Sequence, residues 1–74
     1  MYKKDKILVE LGLKIAEYRK EKHFSQEELG FLVHSARNYI GCIERGEKSP
    51  SIKTLSKISK ALNVKIKDLF DFLP

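Results

Sequence analysis

The chain is poor in the residues that most often carry chemistry or interrupt a fold. Its 74 residues include one Cys, one Met, no Trp, two Pro and four Gly. A lone Cys42 cannot close an internal disulfide, which fits a reducing cytoplasm. With two His and that one Cys there is no metal-ligand set, so no metal is expected. No apolar run approaches the roughly 18 residues that span a bilayer. The opening MYKKDKILVELG is basic, but its apolar run is too short and too broken by charge for a signal peptide. No membrane contact is expected. So few Pro and Gly leave no long linker, and no internal repeat is visible. No nucleophile–base–orienter pattern and no glycine-rich phosphate loop occurs. Neither an enzyme, nor a cofactor, nor a small-molecule ligand is expected.

What is present is charge and helical periodicity. Fifteen Lys and Arg against ten Asp and Glu give a net charge of +5, which suits an anionic partner without proving one. A hydrophobic fraction of 42% is ordinary for a folded protein. The length predicts a single domain over 1–74, with no room for a second, ligand-sensing unit.

Apolar positions recur at steps of three and four, the period of a helix. Ile7, Leu8, Leu11, Ile15 and Tyr18 predict a first helix over about 5–22, with Asp5 as its cap. Ser25 and Glu28 form a capping-box pair that opens a second helix over about 25–33, with Leu29, Leu32 and Val33 as its buried stripe. A third helix, about 36–45, follows almost without a linker. Two helices so close must cross steeply, which makes residues 25–46 a helix-turn-helix. Ile40 and Ile43 point inward. Arg37, Asn38, Gly41, Cys42 and Arg45 face outward or sideways, and Gly46 ends the helix in a left-handed cap. Ser51 caps a fourth helix over about 51–62, built on Ile52, Leu55, Ile58, Ala61 and Leu62. Asn63 suits the turn that follows. A last helix over about 65–72 carries Ile66, Leu69, Phe70, Phe72 and Leu73. That is more apolar surface than one short helix can bury, so part of it is expected to cover a second copy. The fold class is all-α, with five helices.

By residue 46 the pattern resembles the phage lambda repressor/Cro-type (XRE-like) helix-turn-helix family. The motifs are SQEEL, then RNYIGCIERGE, then PSIKTLSKISKAL, and the likeness covers about residues 8–72. Within that family the RNYIGxIERGE run looks like the small controller proteins of restriction–modification systems. Phage-type repressors and the DNA-binding partners of toxins share the same core. The sequence departs from the family at the turn. His34 stands where Gly is usual, Ser35 where an aliphatic residue is usual, and Ala36 where Ser or Thr usually caps; Ser35 is an alternative cap. Cys42 replaces a frequent polar contact residue.

Each candidate carries a functional and a bland reading. Arg37 sits in the first turn of the third helix, the part that meets base edges in this motif. A guanidinium can bond guanine O6 and N7 together; the bland reading is a solvated arginine or a phosphate contact. Asn38 reads adenine or bonds a phosphate. Cys42 offers at most an apolar contact to a thymine methyl. Ser25 and Gln26 open the second helix, where backbone N–H groups favour a phosphate, and Tyr39 offers its hydroxyl to the DNA backbone or is a structural tyrosine. The resemblance implies backbone contacts from Arg45, Lys48, Ser49 and Ser51. It also implies an ion pair between Arg19 and Glu44, tying the first helix to the third. The function expected is a sequence-specific regulator of transcription that binds the major groove of double-stranded DNA as a homodimer on a pseudo-palindromic operator. The dimer contact is expected from Ile66, Leu69, Phe70, Phe72 and Leu73. The competing expectation is an antitoxin-like or adaptor module whose main partner is a protein.

Overall fold

The computed structural model describes residues 5–74. Five helices follow one another: α1 (Lys6–Glu21), α2 (Gln26–Leu32), α3 (Arg37–Glu44), α4 (Ile52–Leu62) and α5 (Ile66–Leu69). Most begin and end where local chemistry dictates. The Asp5 carboxylate accepts from the Ile7 and Leu8 amides, at 2.8 and 3.4 Å. Ser25 Oγ accepts from the Glu28 amide at 2.9 Å while Glu28 Oε1 accepts from the Ser25 amide at 2.8 Å, the reciprocal pair that satisfies two end donors. Ser51 Oγ accepts from the Thr54 amide at 3.1 Å. Gly46 and Asn63 adopt left-handed backbone, with φ of 75° and 58°, and close the ends of α3 and α4.

The core is Leu11 and Ile15 of α1, Leu29 and Val33, Ile40 and Ile43 of α3, Leu55, Ile58 and Leu62 of α4, and Leu69 of α5. Phe24, Tyr18, Tyr39 and Val64 pack on it from the side. α1 lies so close to α3 that a Cβ added to Gly12 would collide with the carbonyl groups of Ile43 and Glu44.

Three expectations fail here. Leu32 is 46% exposed rather than part of the buried stripe. The reason is geometric. Gly30 faces α3, and a Cβ there would come 2.7 Å from the Ser35 carbonyl oxygen. At about 100° per residue, the inward arc is therefore centred between Leu29, Gly30 and Val33, and Leu32 and Phe31 turn away from it. Ile52 is exposed too, because it is the first residue of α4 and precedes the part that meets the core. The last helix is only four residues long, not eight. Phe70 and Phe72 both pack against the core with ring centroids 6.1 Å apart. On a continued helix they would point about 200° apart, so the chain turns instead.

The turn between α2 and α3 keeps His34 in left-handed backbone, with φ of 59°, where Gly would be unstrained. Ala36, not Ser35, occupies the cap position of α3, and no side chain bonds its first amides. Ala36→Ser should therefore stabilise the fold by about 1 kcal/mol. That raises the thermal midpoint by about 4–8 °C for a chain of this size. An unchanged midpoint in calorimetry would show that the start of α3 gains nothing from a cap.

Candidate nucleic-acid interface

α3 presents two faces with different work. Ile40 and Ile43 enter the core, and Glu44 is buried beside them with 9% exposure. A carboxylate at that depth needs partners. Arg19 of α1 supplies two, from Nε to Oε2 at 2.6 Å and from Nη2 to Oε1 at 3.1 Å. Arg19 Nη1 also donates to the Phe24 carbonyl at 2.8 Å. The amide of Gln26 donates the third bond to Glu44 Oε1, at 2.9 Å. One carboxylate thus joins α1, the start of α2 and the end of α3. The bidentate geometry is the form in which an arginine–carboxylate pair is strongest.

The outward face of α3 lies beside the start of α2. Gln26, Arg37, Asn38, Gly41 and Arg45 line one shallow, open groove between them. Arg37 and Asn38 are exposed. Cys42 is half-buried, and Arg45 Nη2 approaches its Sγ at 3.5 Å. Arg45 also donates to Glu47, from Nε at 3.1 Å and from Nη2 at 3.2 Å; that hydrogen bond raises its pKa above the ordinary value. Tyr39 is half-buried with its ring against the core. Lys48 and Ser49 are exposed in the loop after α3. Ser51 donates its hydroxyl to Thr54 Oγ1 at 3.1 Å, so it serves its own helix start. Ser25 likewise serves the cap of α2.

The groove therefore unites two residues read as base contacts, Arg37 and Asn38, with two read as backbone contacts, Gln26 and Arg45. It does not include Ser25, Cys42, Tyr39, Lys48, Ser49 or Ser51. The pairing of Arg19 with Glu44 holds in the structure. The bond from Gln26 to the same carboxylate was missed in the sequence, because nothing in linear spacing links residues 26 and 44. Gly41, expected to face outward or sideways, is buried beside the Gln26 and Arg45 side chains on the groove floor, and it was not read as a site residue. A glycine in mid-helix with no turn to explain it was the available signal.

A family model described as helix-turn-helix matches residues 15–69, and the chain belongs to that family. Control protein C.BamHI of Bacillus amyloliquefaciens is 47% identical over 62 residues, 82% of this chain and 76% of that protein. The crystal structure of the restriction–modification controller protein C.AhdI from Aeromonas hydrophila superposes with a TM-score of 0.83 at 38% identity, over 85% of this chain and 96% of that one. The crystal structure of SinR, a master regulator for biofilm formation, in complex with DNA matches with a TM-score of 0.78 at 40% identity, over 82% of this chain and 98% of that one. By sequence the chain spans 56% of the whole SinR of Bacillus subtilis.

Arg19→Met should cost about 3–5 kcal/mol in urea unfolding, because it leaves the buried Glu44 carboxylate with one donor. The double variant Arg19→Met/Glu44→Leu should recover much of that loss, since apolar residues of similar volume replace a buried ion pair at little net cost. A loss below about 1 kcal/mol in the single variant would mean that the pair is solvated like a surface one.

Proposed function

We propose that this chain is a sequence-specific, double-stranded DNA-binding regulator of transcription that acts as a homodimer on a pseudo-palindromic operator, in the manner of the restriction–modification controllers or small phage-type repressors. The observation that carries the reading is the groove just described: exposed Arg37 and Asn38 on a short helix whose other face is clamped by a buried ion pair. In helix-turn-helix binding the second helix enters the major groove and its first turn meets base edges. Arg37 is suited to guanine, with about 1–3 kcal/mol of discrimination, and Asn38 to adenine or a phosphate. Cys42 contributes an apolar contact. Tyr39, Lys48 and Ser49 grip the sugar–phosphate backbone, which sets register without reading sequence. Gln26 and Arg45 do so from the rim of the groove that also meets the bases. The hydroxyls of Ser25 and Ser51 are taken up by their own helix starts, so those two helix starts contribute through backbone N–H groups. The work is binding rather than catalysis, and the compartment is the cytoplasm. Among the described residues, no helix is long and apolar enough to cross a membrane.

Two such modules are needed because one short helix reads few bases. Recognition helices of a dimer would enter successive major grooves about 34 Å apart. The apolar C-terminal turn supports the dimer, with a correction. Leu69 is fully buried in the chain's own core, so the contact falls to Ile66, Phe70, Phe72 and the exposed Leu73. A second reading, a module whose partner is another protein, is favoured by Phe31, which is 81% exposed beside Leu32 and belongs neither to the groove nor to the tail.

Titration at fixed salt against random duplex and against the DNA upstream of the chain's own gene tests the first reading. The upstream duplex should bind at least a hundredfold tighter. Arg37→Ala should shrink that ratio, while Lys48→Ala should weaken both duplexes alike and flatten the salt dependence by about one charge. Equal affinity for both duplexes sinks the specific-regulator reading. Sedimentation separates self-association from a missing partner. The wild-type chain should dimerise at micromolar concentration, and Leu73→Asp should shift it towards monomer without loss of helicity. A monomer at all concentrations favours the protein-partner reading.

A further inference from the structure

We propose that Gly41 is a specificity-determining position: its missing side chain opens a recess on the reading face of α3 that admits a guanine-bearing base-pair edge more closely than any larger residue would allow. The inference rests on the DNA-binding reading above and names the residue that sets how deeply α3 seats.

The four glycines differ in what holds them. At Gly12 an added Cβ would strike the backbone of α3, and at Gly30 it would come 2.7 Å from the Ser35 carbonyl oxygen. Gly46 has φ of 75°, and its Cβ would meet Val9 at 2.8 Å. These three are demanded by the fold. Gly41 is not. It sits in α3 without a left-handed backbone. The three atoms nearest its missing Cβ are Arg45 Nη1 at 3.0 Å, Gln26 Oε1 at 3.5 Å and Arg45 Cζ at 3.8 Å. All belong to the far ends of flexible side chains, which can give way. Glycine is also the poorest helix former after proline, and α3 is eight residues long without a side-chain cap. A residue that weakens a short helix and fills no internal need answers to something outside the chain.

Its surroundings say what. Gly41 lies one turn after Arg37 and one turn before Arg45, on the same stripe. The groove it floors is walled by Gln26, Arg37, Asn38 and Arg45. Both guanidinium groups are donors only, whereas Gln26 turns Oε1 towards the place of the missing Cβ and gives its amide N–H to Glu44. Two donor-only arginines beside one acceptor match the edge of a G·C pair, where O6 and N7 of guanine stand next to the amino group of the paired cytosine. Glu47 takes Nε and Nη2 of Arg45, which fixes the plane of that guanidinium beside the recess. A methyl group at position 41 would push Arg45 aside and occupy the space the base edge needs.

Selection of duplexes from a randomised pool, with the wild-type chain and with Gly41→Ala, tests the proposal alongside thermal unfolding. Gly41→Ala should unfold about 2–8 °C higher, as expected for relieving a mid-helix glycine. Its affinity for the wild-type-selected duplex should fall about tenfold or more, the scale of one lost base contact, with less than about threefold change on random duplex. Its own selected motif should lose a G·C position. The inference is overturned if Gly41→Ala unfolds at lower temperature, if it selects the wild-type motif with unchanged affinity, or if both duplexes weaken equally. A wild-type chain that selects no motif sinks the regulator reading itself, whereas a wild-type motif that Gly41→Ala retains sinks this inference alone.

Discussion

The buried carboxylate of Glu44 is the constraint on which the arrangement of α1, α2 and α3 depends. A negative charge on the helix proposed to face phosphates is unfavourable unless it is taken out of play. Two donors from Arg19 and one from Gln26 do that while joining three helices at one point. The consequence for function is orientation. α3 has only eight residues, too few to be a stable helix alone, and its aim is set by what its inner face holds. Ile40 and Ile43 fix its depth in the core, and Glu44 fixes its rotation. Because Gln26 bonds the same carboxylate, the groove shares a wall with the clamp. A change at Gln26 therefore disturbs the placement of α3 as well as any phosphate contact proposed for Gln26 itself, which is why an exposed loop lysine is the cleaner probe of backbone binding.

Two histidines, His23 and His34, hold left-handed backbone, and the second lies in the turn that leads into α3. His34 takes a left-handed conformation that glycine would adopt freely, and Ala36 leaves the first amides of α3 without a side-chain partner. Both choices cost stability in the turn, yet they keep the N-terminus of α3 open. Uncapped amides beside Arg37 and Asn38 add donors and the positive end of a helix dipole to a face already positive. An unsatisfied helix start is unfavourable for an isolated domain and favourable for one that meets an anion.

Much of this was legible in the sequence because it rests on local chemistry. Asp5, Ser25 with Glu28, Ser51, Gly46 and Asn63 mark helix ends through bonds or backbone angles that involve residues a few positions away. Five helices and most of the core follow from spacing of three and four. The failures are non-local. Leu32 looked buried because periodicity gives the width of an apolar stripe but not its centre, which Gly30 and the crossing of α3 decide. The tail looked helical through Phe72 because apolar spacing there suits a helix; two phenylalanines competing for one core break it. The link from Gln26 to Glu44 spans 18 positions and has no linear signature. The Arg19–Glu44 pair spans 25 and was legible only through family likeness.

A dimer contact at the tail, as proposed, would be coupled mechanically to α3. The C-terminal turn is tied to α1 by Lys14 and Asp71 at 3.3 Å, and Phe70 and Phe72 pack on the core that also holds Ile40 and Ile43. The ion pair joins a half-buried Lys14 to an exposed Asp71 and contributes little by itself; the packing is what holds the turn in place. A homodimer built on Ile66, Phe70, Phe72 and Leu73 would then fix the distance between two copies of α3 through one continuous core rather than through a flexible linker. Rigid spacing favours operators whose half-sites match it and penalises every other spacing, because misfit must be absorbed by bending DNA at a cost of several kcal/mol. The order of elements would thus also be the order of selectivity: Glu44 aims the helix, Arg37 and its neighbours would read the half-site, and the tail would decide which pairs of half-sites count.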